Sequence, residues 1–244
     1  MTPGTEPVPE VIFGLEPMWF AGGVFLLTYI LIMSERVNRA IVAMAAAAIM
    51  ILGGVLTQEA AVRGVDFNTL GLLTGMMIIV SITRKSGIFQ YVAIWSAKRV
   101  DARPWGILVM LVLVTAVLSA LLDNVTTVLL IAPVTLLIAD ELKVSPYPYL
   151  FTEIFASNVG GAATLIGDPP NIMIGSAVGL GFNDFLFNLG PIVLLILPML
   201  LIPFYLLWGR KLQTTPERRQ KVMRYEESDA IKDKLLLWQS LGVL

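Results

Sequence analysis

The chain carries a series of apolar stretches long enough to cross a bilayer, and polar residues interrupt two of them near the middle. A membrane helix takes about 20 mainly apolar residues. Stretches of that kind cover residues 15–33, 40–56 and 67–83. A longer one, 105–139, is broken by Asp123-Asn124, and another, 149–180, by a polar centre rich in Gly and Pro. A sixth covers 185–208, and a last apolar run extends from Leu235 to Leu244. The chain is 57% hydrophobic and 14% charged, whereas a soluble domain ordinarily carries about 25% charge. It reads as an all-α integral membrane protein seated in a lipid bilayer. Residues 87–100 are shorter, aromatic and end in Lys98-Arg99; they read as a helix lying along the interface, with an ordinary short span as the alternative.

What the sequence lacks narrows its chemistry. There is no Cys and no His, which excludes disulfides, thiol nucleophiles and Cys-based zinc sites and removes the usual near-neutral proton carrier. Proton chemistry falls to carboxylates. A net charge of −1 offers no basic excess for nucleic acid, and no Gly-rich Lys-Ser/Thr loop is present for direct ATP coupling. The first ten residues hold no Lys or Arg, so no signal peptide with a positive leading region is expected.

Basic residues mark the cytoplasmic side of a membrane protein. With the N-terminal tail, residues 1–14, placed outside, 16 of the 17 Lys and Arg residues fall inside and only Arg63 falls outside. This places the polar linker 209–234 in the cytoplasm. The bias does not decide whether 105–139 crosses twice or folds back as a re-entrant hairpin, since both return to the same side. Trp19, Trp105, Tyr149 and Trp208 at span ends fit interfacial aromatic belts. The spacings Gly71–Gly75 and Gly175–Gly179 fit close helix packing, and Pro191, Pro198 and Pro203 fit kinks in the sixth span.

The two breaks carry the polar residues of interest. A charge in hydrocarbon costs several kcal/mol unless it faces protein or water. Asp123 is functional if the hairpin folds back and bland if it lies in an outer loop; in either case it can cap the second arm. The second break holds Gly160-Gly161, which permits the chain to leave helical geometry, and Asp168-Pro169-Pro170, a good helix start. This span is expected to be two half-helices joined by an unwound stretch, tolerated only where protein or a water-filled cavity surrounds it. Carbonyls ending the first half can coordinate Na⁺, and amides starting the second can face an anion. Glu153, before the break, reads either as a proton carrier or as a side chain snorkelling to the interface.

The run Ser119-Ala120-Leu121-Leu122-Asp123-Asn124-Val125-Thr126-Thr127, with Ile131-Ala132-Pro133-Val134, and the run from Ser157 to Asn171 (Ser-Asn-Val-Gly-Gly-Ala-Ala-Thr-Leu-Ile-Gly-Asp-Pro-Pro-Asn) together resemble the ion transporter superfamily. The nearest branch is similar to arsenite permeases, NhaD-type sodium/proton antiporters and the melanosomal P protein; citrate carriers and divalent anion/sodium symporters are more distant. The resemblance implies one repeat, residues 15–208, of an inverted-repeat transporter, with about five spanning helices, a re-entrant hairpin at 105–139 and a broken helix at 149–180. It implies homodimers, a bacterial inner membrane and a small ion as substrate. Carried to this chain, the substrate and ion ligands are Asp123, Asn124, Thr126 and Thr127 at the tip, with Ser157, Asn158, Gly160, Gly161, Thr164, Gly167, Asp168 and Asn171 in the loop. A Na⁺ ion would draw on Asn124, Thr127, Asn158 and Gly160; Asp123, Asp168 and Glu153 are the proton-carrier candidates. Where related symporters have neutral residues, this chain has Asp123 and Asp168, which suits cation or proton exchange better than an anion. The second hairpin and second broken helix are not within the 244 residues, so a second repeat, a partner chain or a longer protein is expected to supply them, with residues 235–244 starting the next span.

Three functions compete on this reading. The first is a secondary transporter half coupled to Na⁺ or H⁺, of arsenite/antimonite or Na⁺/H⁺ exchange type, with a Na⁺-coupled citrate or dicarboxylate carrier as its variant. The second is a non-transporting half that assembles with a partner. The third is an intramembrane aspartyl protease, which needs a Tyr-Asp pair and a Gly-x-Gly-Asp element. Leu122 precedes Asp123 and Leu165 replaces the first glycine, so no enzyme activity is expected.

Overall fold

The computed structural model describes Gly14, residues 16–231 and residues 233–242. The expected extracytoplasmic tail lies outside the described residues apart from Gly14. All regular structure among the described residues is helical, and it divides into two compact units that meet in sequence at Asp66/Phe67.

The first unit holds α1 (Pro17–Met33), α2 (Arg39–Leu52) and α3 (Gln58–Arg63). Pro17 opens α1 at a position where its missing N–H costs nothing. The Asn38 Oδ1 accepts from the Ala40 amide at 2.9 Å and caps α2. The second apolar stretch was expected to continue to residue 56. The helix stops at Leu52 because Gly53-Gly54 turns the chain, with Gly54 at φ +77°. A Cβ at Gly53 would lie 2.6 Å from the Phe20 ring, so α1 packs against the backbone just past the end of α2.

The second unit is built around two helices that run side by side. α4 (Phe67–Ser86) and α5 (Ile88–Arg99) lead into α6 (Pro104–Leu121), α7 (Asn124–Leu142), α8 (Tyr147–Gly161), α9 (Pro169–Val178) and α10 (Phe182–Phe204). The Tyr149 hydroxyl donates to the Pro104 carbonyl at 3.0 Å near the start of both helices, and the Thr164 hydroxyl donates to the Ala120 carbonyl near their ends. α6 and α8 are therefore parallel. α7 turns back from the end of α6 and runs antiparallel to α8. Ile107, Leu108, Leu111 and Val112 of α6, Ile131 and Ile138 of α7, and Tyr149 and Ala156 of α8 form the buried centre.

Several expectations change at this level. Tyr149 is buried at the centre and does not join the aromatic belt; Tyr147 is the exposed ring at this end. Gly71 and Gly75 have open space where a Cβ would stand, so the α4 pair is not a helix-packing seam among the described residues. Gly179 caps α9 at φ +71°. α10 continues through Pro191 and Pro198 and loosens only after Pro203, where Tyr205–Gly209 form a π-helical turn. α5, twelve residues long, rises about 18 Å and is too short to span; Phe89, Ala93, Ser96 and Ala97 bury its inner face.

The linker is not a loose tail. α11 (Pro216–Met223) and a short 3₁₀ turn at Glu227–Ala230 lie against α5 and α7. Thr214 donates to the Leu142 carbonyl at 2.7 Å, Tyr225 to Glu141 at 3.0 Å, and Arg219 to the Asp101 carbonyl at 2.9 Å. Lys98 pairs with Glu227. The Ala230 carbonyl sits on the bare backbone of Gly87 (φ +87°), where any Cβ would overlap it. α12 (Lys234–Leu241) packs on α4. The strap thus holds both feet of the α6–α7 hairpin.

Two outcomes follow from this packing. A Cβ at Gly160 would lie 2.3 Å from the Ala116 carbonyl oxygen, so Gly160→Ala is expected to lower the thermal midpoint in detergent by an overpacking cost of ~1–3 kcal/mol, while Gly71→Ala leaves it unchanged or higher. The Lys98 ammonium holds the Glu227 carboxyl below the usual value of 4.5. A lowered folded pKa stabilises the docked strap above that value and ceases to do so as the pH falls through the lowered one. Hydrogen exchange at residues 224–231 should therefore rise relative to α6 below pH 4.5, and Lys98→Met should remove that dependence.

Candidate functional site

The end of α6 and the interruption after α8 meet at one level. The chain turns at Leu122-Asp123, and the Asp123 Oδ1 accepts from the Thr126 amide at 2.8 Å, capping α7. The Thr127 hydroxyl donates to the Asp123 carbonyl at 2.9 Å. One turn of chain is thereby closed by its own side chains, with Asp123 and Asn124 half-buried at the apex. The capping role and the position beside the break are both realised.

On the facing side α8 ends at Gly161, and residues 162–168 run without regular structure to α9. This stretch is held by polar side chains. Ser119 donates to the Ser157 carbonyl at 2.6 Å, and Thr164 donates to the Ala120 carbonyl while accepting from the Gly167 amide at 3.2 Å. Asn171 reaches back to the carbonyls of Thr164 at 2.9 Å and Gly161 at 3.4 Å. Gly160 and Gly161 were expected to let the chain leave the helix. Neither has a positive φ. They are small because Ala116 crosses against Gly160 and the Gly167 carbonyl against Gly161, where a Cβ would stand 2.3 Å and 2.6 Å from backbone oxygens.

One side chain joins the two halves of the site. The Asn124 amide nitrogen donates to the Asn158 Oδ1 at 3.0 Å and to the Asp168 Oδ1 at 3.4 Å. Asn158 is fixed in turn through its own amide to the Ile154 carbonyl at 2.8 Å. Asp123, Asn124, Asn158 and Asp168 therefore form one polar cluster. Thr126 and Ser157 lie at its edge, with the Ser157 hydroxyl donating to Ile154 at 2.9 Å. The suggested Na⁺ set is only half assembled: Asn124 and Asn158 meet, whereas Thr127 is fully buried and bonded within its own turn, and the Gly160 carbonyl accepts from Ala163 at 3.0 Å. Among the described residues no group of three or more acidic side chains is placed to hold a metal ion.

Three further expectations change. Asp168 occupies the position before α9, but its side chain makes no capping hydrogen bond and turns to Asn124. The start of α9 also offers few amides to an anion. Pro169 and Pro170 have no N–H, and the Asn171 N–H is already given to the Asp168 carbonyl at 3.0 Å. Glu153 does not snorkel: it is 0% exposed, and its Oε1 accepts from the buried Thr135 hydroxyl of α7 at 2.5 Å. Its Oε2 and the Thr115 hydroxyl of α6 are buried without a hydrogen-bond partner among the described residues. Thr115, Ser119 and Thr135 were not singled out from the sequence. Ser119 stood inside the first motif, but Thr115 and Thr135 are single hydroxyls in apolar runs and gave no signal.

A hairpin of helices whose polar tip abuts an interrupted third helix, inside an all-α unit with several apolar helices of membrane length, fits a membrane protein. Comparison with known proteins agrees. The sequence matches the citrate transporter family over residues 29–244, and the chain belongs to that family. It is 49% identical over 218 residues to a 46 kDa membrane protein of Mycobacterium leprae (strain TN), a match covering 88% of this chain and 51% of that protein. It is 51% identical over 220 residues to an uncharacterized transporter of Mycobacterium tuberculosis (strain ATCC 25618 / H37Rv), with the same coverage of 88% and 51%. It is 40% identical over 198 residues to the P protein of Homo sapiens, covering 75% of this chain and 23% of that protein. The chain spans about half the length of the mycobacterial relatives it matches.

Asn and Asp cap helices equally well. Asp123→Asn is accordingly expected to keep the unfolding midpoint of the parent, and Asp123→Ala to lose ~1 kcal/mol through the missing cap. Equal loss for both would show that the Asp123 charge, and not its cap, holds the tip.

Proposed function

We propose that this chain is half of a secondary transporter, and that the cluster of Asp123, Asn124, Asn158 and Asp168 is its half of the binding site for a coupling cation, H⁺ or Na⁺. The observation that carries this reading is the Asn124 amide, which ties the hairpin tip to both sides of the interruption. Loading a cation there alters the contact between two separate elements, which is what coupling of an ion to a conformational change needs. Two carboxylates at one site, with no Lys or Arg among the cluster, favour a cation over a bare anion. Family membership and the relatives named as transporters support the transport reading. The cargo is a small ion.

Citrate, the substrate in the family's description, is the second reading. A multiply charged anion meets Asp123 and Asp168 only with its charge offset by protons or a bound cation, so the same site serves both readings. Glu153, on α8 about 7.5 Å of helix rise before Asn158, is the candidate for carrying a proton inward from that cluster. The proposed orientation keeps the N-terminus outside and the strap in the cytoplasm, in a bacterial inner membrane.

The test is flux into proteoliposomes holding the natively expressed protein, with Na⁺, H⁺, arsenite and citrate gradients in turn. Asp123→Asn and Asp168→Asn should each abolish coupled flux, a loss of at least tenfold, while the thermal midpoint of Asp123→Asn stays at the parent value. Unchanged coupled flux in both variants would overturn the site.

A further inference from the structure

We infer that the cleft between the α7–α8 turn and the end of α10 binds the phosphate of an anionic phospholipid headgroup. The cleft has a volume of about 380 Å³, and Lys143, Ser145, Tyr147, Trp208, Lys211 and Gln213 are among its walls. It lies apart from the tip-and-interruption cluster and does not depend on what that cluster carries.

The position fits a membrane surface. α10 closes with the π turn that holds Trp208, and Arg210 and Lys211 follow at once. Tyr147 opens α8, and its ring stands edge-on to Trp208 at 5.9 Å. Trp105 opens α6 and packs edge-on to Tyr205 of the same π turn at 5.1 Å. Three apolar helices therefore begin or end at one level, ringed by Trp and Tyr, which is where such rings meet lipid headgroups. Lys and Arg placed directly beyond a membrane helix attract anionic lipid, each contributing about 1 kcal/mol.

The walls of the cleft are fixed. Thr214 donates to the Leu142 carbonyl at 2.7 Å and draws residues 211–214 onto the end of α7, where Leu212 is buried. Lys143 sits at φ +53°, ψ +44°, a conformation that a lysine adopts at a cost and glycine adopts freely. The strained turn sets Lys143 on the rim of the cleft, where its charge faces a bound anion. Lys143 has Asp140 at 2.9 Å, with both side chains exposed. The Lys211 amide donates to the Trp208 carbonyl at 2.9 Å, while its ammonium has neither an ion-pair nor a hydrogen-bond partner among the described residues. The cleft thus carries an unmatched positive charge beside a half-matched one, and an anion completes it. Below the cleft, Tyr147, Phe151 and Phe155 stand one turn apart on α8 and meet Phe204 of α10 and Trp208 of the π turn at 5.6 to 6.0 Å. That row of rings leads from the charged rim toward the apolar depth and offers a surface for an acyl chain.

The experiment is native mass spectrometry of the 244-residue chain released from detergent micelles containing phosphatidylglycerol or phosphatidylcholine at equal concentration. The parent should hold phosphatidylglycerol at least tenfold more tightly than phosphatidylcholine. Lys143→Gly with Lys211→Gln should weaken phosphatidylglycerol by about 25-fold, about fivefold per ammonium group, and leave phosphatidylcholine unchanged. Glycine suits the turn at residue 143, so the double variant is expected to keep its unfolding midpoint. Equal binding of the two lipids by the parent, or phosphatidylglycerol binding untouched in the double variant, overturns the proposal. Displacement of phosphatidylglycerol by millimolar inorganic phosphate also overturns it, since the site would then serve free phosphate and not lipid.

Discussion

Every backbone N–H and C=O that leaves a helix at membrane depth needs a partner from within the protein, because hydrocarbon supplies none. On the proposed reading residues 162–168 lie at such a depth, and the packing of the second unit answers part of that demand. Side chains meet the Thr164 carbonyl and the Gly167 amide within this stretch, and the Gly161 and Ser157 carbonyls at its edge. Asn171 reaches back across the interruption to two carbonyls, Thr164 bridges from the Ala120 carbonyl to the Gly167 amide, and Ser119 satisfies the Ser157 carbonyl across the helix interface. Since Ser119 and the Ala120 carbonyl belong to α6, the interruption after α8 is stable only while α6 lies parallel and adjacent. The hairpin is thus part of the hydrogen-bonding of the loop, and its tip is brought to the loop by the same bonds.

The close parallel packing sets the role of the glycines. The Ala116 backbone crosses Gly160, and the loop returns over Gly161 through Gly167. Each of these positions excludes a Cβ because a carbonyl oxygen occupies its place. What the glycines supply is proximity, and proximity lets hydroxyls as short as Ser119 and Thr164 reach main-chain carbonyls on a neighbouring element. Larger residues would separate the helices and strand those carbonyls, at ~1–3 kcal/mol for each buried polar group left unpaired.

The sequence made the apolar helices and both interruptions legible, because long apolar runs and a run such as Gly167-Asp168-Pro169-Pro170 carry their meaning locally. The pairing of Asn124 with Asn158 and Asp168 was legible only as far as both motifs were polar and each interrupted a span. Features that depend on three-dimensional neighbours were not legible. The burial of Tyr149 depends on the Pro104 carbonyl, and the burial of Glu153 depends on Thr135, a hydroxyl in a run of otherwise apolar residues. The linker misled in the same way. Its composition is that of a solvated segment, yet Thr214, Arg219 and Tyr225 each find a partner on the hairpin's feet or on α5.

The cation preference proposed for the site rests on what Pro169 and Pro170 remove as much as on what Asp168 adds. An uncapped helix start is ordinarily a place for an anion, since its first amides point outward with a positive partial charge. Here two of those amides do not exist and a third is bonded to the Asp168 carbonyl. The end of the helix nearest the tip has lost most of its attraction for negative charge, and a carboxylate stands before it. Asp168 in turn does not use its oxygens to cap α9 but gives one to Asn124. A side chain that leaves its own helix uncapped in order to reach the tip of another element makes the cap and the cross-element contact alternatives. On the proposed reading, a cation or proton that engages the Asp168 oxygen held by Asn124 would compete with that contact, so loading the site there would loosen the tip.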